Sequence, residues 1–189
     1  MQRVKPLLDQ IEAHLPADSL ESGHRDSMLA LLRGTADPFS RASFTLGHIT
    51  ASLFIVDPTS RSILLHHHRR LDRWLQMGGH VEGAEDPREA ALREGREESG
   101  LTDLELLRDA VVDLDVHAIP AGRGEPDHFH FDVRYVARTS APRKIVIDAS
   151  ESKDLAWIPL ERAELLMNEA ASSRVIRKLE HLLNEGAPH

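Results

Sequence analysis

The stretch Gly79–Leu101, GHVEGAEDPREAALREGREESGL, constrains this chain more than any other part of it. Glu94, Glu97 and Glu98 stand at i, i+3 and i+4, so a helix stacks all three carboxylates on one face. Adjacent like charges weaken an isolated helix by about 0.2–0.5 kcal/mol per pair, so the fold has to supply a compensating charge. A bound divalent cation is such a charge, and an all-oxygen carboxylate set suits a hard ion such as Mg²⁺. The helix is well delimited. Asp86 is a good N-cap, Pro87 fits the first helical position, Glu89 completes a capping box and Gly100 is a natural stop. Ala91, Leu92, Gly95 and Ser99 form the opposite face, small enough to pack closely on a sheet. Gly78, Gly79 and Gly83 predict a flexible loop ahead of the helix, able to bring backbone groups close to a ligand. A solvated helix with an acidic stripe explains Glu97 and Glu98, but not the loop, the cap and the three spaced acids together.

This stretch resembles the signature of the Nudix hydrolases. That signature is Gly, five residues, Glu, seven residues, Arg-Glu, an aliphatic, any residue, Glu-Glu, any residue, Gly and an aliphatic. Gly79, Glu85, Arg93, Glu94, Glu97, Glu98, Gly100 and Leu101 fall in place. Gly95 stands where the pattern asks for an aliphatic residue, and glycine lowers helix propensity by up to about 1 kcal/mol. Met77 stands where relatives often have proline. The signature covers about an eighth of the chain, and the strand order around it extends the resemblance over most of residues 45–165.

The resemblance implies an α/β/α sandwich with a mixed central sheet. It also implies metal-dependent hydrolysis of a nucleoside diphosphate linked to another moiety, with water attacking the pyrophosphate bond. By position, Glu97 and Glu98 are metal ligands, Glu94 is a further ligand or the base that deprotonates water, and the Gly78 carbonyl also meets the metal. Mg²⁺ is the expected ion, with Mn²⁺ as substitute. Some relatives place the base outside the signature, which keeps Glu151 among the catalytic candidates, with Asp154 behind it. Arg93 orients a glutamate by a charged hydrogen bond, and Glu85 stabilises the loop. One alternative is a silent Nudix-fold module that senses a nucleotide, for which a missing ligand would speak. Another is a prenyl-diphosphate isomerase, which would want a catalytic cysteine, and the chain has no cysteine.

With 189 residues and 41% hydrophobic content, one domain with a helical appendage is expected. No apolar run approaches a membrane span and no signal-peptide pattern begins the chain, so a cytoplasmic protein off the membrane is expected. The net charge of −8 opposes non-specific binding to a nucleic-acid backbone. Residues 1–34 read as a helical extension: Val4, Leu7, Leu8, Ile11 and Leu15 recur at helical spacing, and Pro16–Ser19 supplies a break and a new cap. Such a pair packs on the core or on a partner subunit, which leaves a homodimer open. The Nudix domain then occupies 35–189.

Strands are expected at 47–56 and 61–66, joined through Pro58–Ser60, and at 104–107, 112–117, 128–135 and 144–147, with another around Trp157. Two helices follow from Leu160, with Leu165 and Leu166 among their core positions and Gly186 ending the second. His66-His67-His68 reads as a solvated strand end or a phosphate-facing rim rather than a metal tract, because consecutive strand residues point to opposite faces. The hairpin is less ordinary. Val112, Leu114 and Val116 alternate with Asp113, Asp115 and His117; Phe129, Phe131, Val133 and Tyr135 alternate with His128, His130, Asp132 and Arg134. One reading is a half-solvated hairpin. The other is a polar pocket wall on which Arg134, His128, His130, Asp113 and Asp115 bind substrate.

Overall fold

The computed structural model describes residues 3–122, 124–168 and 171–185. In chain order the elements are α1 (Val4–Ala13), α2 (Ser19–Gly34), β1 (His48–Asp57), β2 (Ser62–His68), β3 (Arg73–Leu75), β4 (Met77–His80), α3 (Pro87–Ser99), β5 (Glu105–Leu106), β6 (Asp113–Ile119), β7 (His128–Arg138), β8 (Ser152–Pro159), α4 (Leu160–Met167) and α5 (Ser172–Glu185). The strands share one sheet along the path β3-β2-β1-β7-β5, with β4 on β1, β6 on β7 and β8 on β2. This is the mixed α and β class expected. The Gly186 stop lies outside the described residues. Among those residues no helix is long and apolar enough to cross a membrane.

The chain divides into two compact units. The first takes residues 1–52, 78–91 and 110–135. In it α2 lies against β6, and Glu21 is the polar pin between them. Its buried carboxylate accepts from the Leu114 N–H at 3.2 Å and the Ala17 N–H at 2.7 Å, and lies 2.7 Å from His14 Nε2. Asp18 caps α2 by accepting from the Glu21 N–H at 2.8 Å. Leu7, Ile11, Met28, Leu31 and Leu32 are buried in the same unit as Leu114, Val133 and Tyr135. The helical spacing of 1–34 is therefore a packing stripe, except that Leu15 falls beyond the end of α1 and is exposed.

The second unit takes residues 53–77, 92–109 and 136–189. Leu53–Val56 and Ile63–Leu65 are fully buried, and β8 pairs antiparallel along the whole of β2, from Ser62↔Pro159 to His68↔Ser152. On α4 the buried stripe is Leu160, Ala163 and Met167, at i, i+3 and i+7. Leu165, expected in the core, is exposed and Leu166 partly so, because a two-turn helix buries only that one stripe.

Three local expectations are corrected. Gly78 and Gly79 do not form a flexible loop; they lie in β4. The expected strand at 144–147 is a 3-10 turn, Pro142–Lys144, followed by irregular chain whose Val146 N–H donates to the Ser99 carbonyl at 2.8 Å. One such bond does not make a ladder. The His66–His68 run is not a solvated end throughout. His66 is buried, His67 stacks on Trp74 with ring centroids 5.2 Å apart, and His68 Nδ1 accepts from the Arg70 and Leu71 N–H groups.

Candidate active site

The capping box fixes where α3 begins. Asp86 Oδ1 accepts from the backbone N–H of Arg88 and Glu89 at 2.9 Å each, and Glu89 Oε2 accepts from the Asp86 N–H at 2.9 Å. Gly95 fixes how closely the helix lies on β1. A Cβ there would come 2.5 Å from Leu53 Cδ2 and 3.2 Å from Leu104 Cδ1, so the aliphatic residue of the family pattern has no room. Leu53 fills that space from the strand side.

This placement sets the three acids at graded depth. Side-chain exposure is 9% for Glu98, 17% for Glu94 and 57% for Glu97. Arg93 Nη1 donates to Glu94 Oε1 at 2.8 Å and to Glu97 Oε2 at 3.1 Å. Glu98 Oε1 lies 3.9 Å from His66 Nδ1, which in turn is 2.8 Å from Ser152 Oγ. Burial, with His68 helping, pushes His66 down to about 4, so at neutral pH the imidazole does not cancel the Glu98 charge. Three carboxylate oxygen donors gathered in this way fit a hard divalent cation.

The other candidates from the signature are placed as follows. Glu85 Oε1 accepts from the Glu82 N–H at 2.6 Å. The Glu85 carbonyl accepts from Arg3 Nη2 at 2.8 Å, and the Gly83 carbonyl from Arg3 Nη1 at 2.7 Å. Gly78 is pressed on β1, where a Cβ would meet Ser52 Oγ at 2.5 Å and the Ala51 carbonyl at 2.8 Å. Gly79 follows it in β4. Glu151 is exposed in the turn before β8, its backbone carbonyl accepting from the Arg69 N–H at 2.8 Å. Ser152, one residue on, points inward to His66.

The hairpin register places its ionisable residues opposite one another: Asp113↔Arg134, Asp115↔Asp132, His117↔His130. Most of this face is covered: Asp113, Asp115, His128, Asp132 and Arg134 are buried, while His117 stays 43% exposed, so the hairpin is not solvated along its length as a half-solvated hairpin would be. Arg134 Nε donates to Asp132 at 2.8 Å, Nη1 to Asp113 at 3.3 Å and Nη2 to Asp115 at 3.1 Å. Burial alone would lower its pKa, but the three aspartates outweigh it and raise it. Asp132 also accepts from Thr50 Oγ1 and from Ser52 Oγ. Burial opposes ionisation of Asp115, yet the hydrogen bond from His117 and the charge of Arg134 hold its carboxyl well below the usual range. Desolvation of its ring works the other way, but His117 is raised, chiefly by that same bond.

Beside this network lies a group of imidazoles. His48 is fully buried, and burial, then the charges of His80 and His128, push it down to about 4. Burial and the neighbouring imidazoles, His48 first, push His130 down to about 2. Sequence reasoning missed His48 and Ser152, and read His66 only as part of a histidine run at a strand end. The available signal was the histidine count of 12, with His48 opening β1 and His80 closing β4.

A family model described as the NUDIX domain matches residues 47–179. No match was found among curated proteins. Among solved structures, a hydrolase of the NUDIX family from Clostridium perfringens is 31% identical, covering 71% of this chain and 97% of that one with a TM-score of 0.53. An Ap4A hydrolase of C. elegans, in a binary complex, is 22% identical over 72% of this chain and 98% of its own, with a TM-score of 0.59. The E. coli dihydroneopterin triphosphate pyrophosphohydrolase is 19% identical over 72% of this chain and 93% of its own, with a TM-score of 0.54. The last two likenesses speak for the fold alone.

Proposed function

This chain belongs to the Nudix family of hydrolases, and from that premise we propose that it cleaves the pyrophosphate bond of a nucleoside diphosphate linked to another moiety, with a divalent cation held by α3. The observation that carries the reading is the graded display of Glu94, Glu97 and Glu98 on one helix, with Arg93 bridging two of them. Glu97 and Glu98 would hold the ion, with Glu94 and the Gly78 carbonyl as further donors. Mg²⁺ is the ion of choice and Mn²⁺ the substitute. When bound, such an ion neutralises phosphate charge and makes a bound water more acidic.

The chain's own residues position and polarise. Arg93 ties Glu94 to Glu97 through one guanidinium nitrogen, and Glu98 lies 3.9 Å from a His66 that burial keeps neutral at pH 7. Water forms the new bond to one phosphorus, the bridging oxygen leaves with the other phosphate, and the water proton passes to a carboxylate base. Glu94 and Glu151 are the candidates for that base, and the pH–rate profiles of Glu94→Gln and Glu151→Gln assign it. The hairpin set of His128, His130, Asp113, Asp115 and Arg134 is proposed to form the wall that meets the remote part of the substrate. Arg134 acts there by holding Asp113 and Asp115, since its nitrogens are engaged within the protein. Residues 1–34 serve as a helical extension of a Nudix domain at 35–189, in a cytoplasmic setting that cell fractionation tests.

The deciding experiment is phosphate or nucleotide release from a panel of nucleoside diphosphate derivatives with Mg²⁺ or Mn²⁺. Turnover of at least one member, abolished by a chelator, is expected. Full activity in chelator, or none across the panel, rejects the reading.

A further inference from the structure

We propose that His48, His128 and His130 form a binding site for a borderline divalent transition-metal ion, Zn²⁺ foremost. The site uses none of the α3 glutamates and stands whether or not the chain hydrolyses a nucleotide. One ring nitrogen from each histidine can be chosen so that all three lie within 4.8 Å of one another.

Backbone geometry builds the cluster. His128 and His130 are two apart on β7, so they share a face of the strand. Gly47 turns the chain into β1 with φ +99°, and its Cα lies so close to the Phe129 carbonyl that no side chain fits there. That approach delivers His48, whose ring centroid lies 5.2 Å from His128 and 4.8 Å from His130.

The nitrogens are arranged as ligands. The Pro126 carbonyl can only accept, so His128 Nδ1, 2.8 Å away, carries the proton and donates to it. His128 Nε2 is then left with its lone pair, fixed in the manner by which metal-bound histidines are oriented through their second nitrogen. His128 Nε2 and His130 Nε2 are 3.3 Å apart. Two nitrogens on a tetrahedral Zn²⁺, each at about 2.0–2.1 Å, lie about 3.3–3.4 Å from each other, so this spacing is one edge of such a site.

The second observation is independent of that spacing. His48 is fully buried, and neither of its ring nitrogens makes a hydrogen bond of good geometry among the described residues, the Ser43 backbone lying near enough only to oppose slightly the effect of burial. Buried polar groups are normally satisfied, so an imidazole with two orphaned nitrogens calls for a partner. An ion at the cluster gives it one. Imidazole ligands without carboxylate suit Zn²⁺, Cu²⁺ or Ni²⁺ rather than Mg²⁺. The fourth position falls to water or to His80, whose ring lies 5.1 Å from His48 and 5.4 Å from His130. His128 also borders a hollow of about 270 Å³ with Phe44, Asp127 and Phe129, through which an ion can enter.

The test uses the untagged full chain, stripped with a chelator and then freed of it, without nucleotide. Zn²⁺ is titrated calorimetrically and Co²⁺ by visible absorption. One equivalent of Zn²⁺ is expected, with the intense visible bands of four-coordinate Co²⁺. Both should persist in the Glu97→Gln, Glu98→Gln double variant, whereas His130→Gln should weaken Zn²⁺ by at least ~100-fold. Absence of a Zn²⁺ equivalent in the native chain overturns the proposal and leaves a cluster of stacked rings only. So does an equivalent that survives His130→Gln but is lost with the glutamates. The native-chain titration decides even if a histidine variant fails to fold.

Discussion

Glu97 on α3 leaves more than half its side chain in solvent, whereas Asp113 on β6 leaves none. Both belong to groups of three carboxylates around one arginine. On α3, Arg93 bridges Glu94 and Glu97, and the acids face outward to differing extents. In the hairpin, Arg134 reaches all three aspartates, Thr50 and Ser52 add hydroxyl donors to Asp132, and the His117 imidazole adds its Nδ1 to Asp115. The same charge ratio thus serves two ends. Where donors satisfy the acids internally, the network holds the fold. Where an acid reaches the surface, as Glu97 does, its charge is available to a ligand from outside.

The largest expected effect tests the buried member. Arg134→Met leaves three buried aspartates without their cation and should cost about 3–5 kcal/mol in denaturant unfolding. Arg93→Met on the exposed face should cost about 1 kcal/mol or less. Equal costs would break the comparison. Activity should divide the other way. Glu98→Gln keeps shape but removes charge, and kcat should fall at least ~10²-fold with the circular dichroism spectrum unchanged. Undiminished turnover would remove α3 from the chemistry.

Protonation sharpens the comparison next. His48 binds a proton near 6.5 when unfolded but only near about 4 when folded. Its contribution to stability is complete above 6.5 and is lost as the pH falls from 6.5 through 4. In chelator-treated protein, about 2 kcal/mol should therefore disappear between pH 7.5 and 5 from this group alone. His117 has the opposite sign: its raised pKa stabilises below the unfolded value, and that support fades as the pH rises through the folded one. Unfolding free energy that rises steadily from pH 7.5 to 5 contradicts the burial assigned to His48. The smallest effect belongs to Gly95→Ala. The helix gains up to about 1 kcal/mol in propensity, but the new methyl meets Leu53, and overpacking costs about 1–3 kcal/mol. A net loss of about 1 kcal/mol is expected by thermal unfolding, relieved when Leu53 is also shortened to Val. A more stable Gly95→Ala would show that Leu53 simply swings aside.

What the sequence made legible follows from how local each signal is. The bounds of α3 were readable because the Asp86 cap and the Gly100 stop act within a few residues. The β6–β7 hairpin was readable because period-two alternation is local as well. Its burial was not, since alternation is the same for a wet face and for one covered by another element. Gly78 and Gly79 read as loop because glycine has little strand preference; pairing with β1 overrides that. His48 carries no local mark, and His66 is marked only as part of a histidine run. Each acquires meaning only through residues brought up by other strands, His128 and His130 for one, Ser152 and Glu98 for the other.

Glu21 has a consequence for where this protein can be cut. The family match starts at residue 47, yet the Leu114 N–H on β6 is answered by a carboxylate from α2. A chain trimmed to the inherited module would uncover that amide along with the apolar surface over which Leu7, Ile11 and Met28 are closed. The family match and the packed unit are different lengths of chain. An expression boundary drawn from homology would strip these helices from the unit they pack in, so the first 34 residues belong in any shortened version made for crystals or assays.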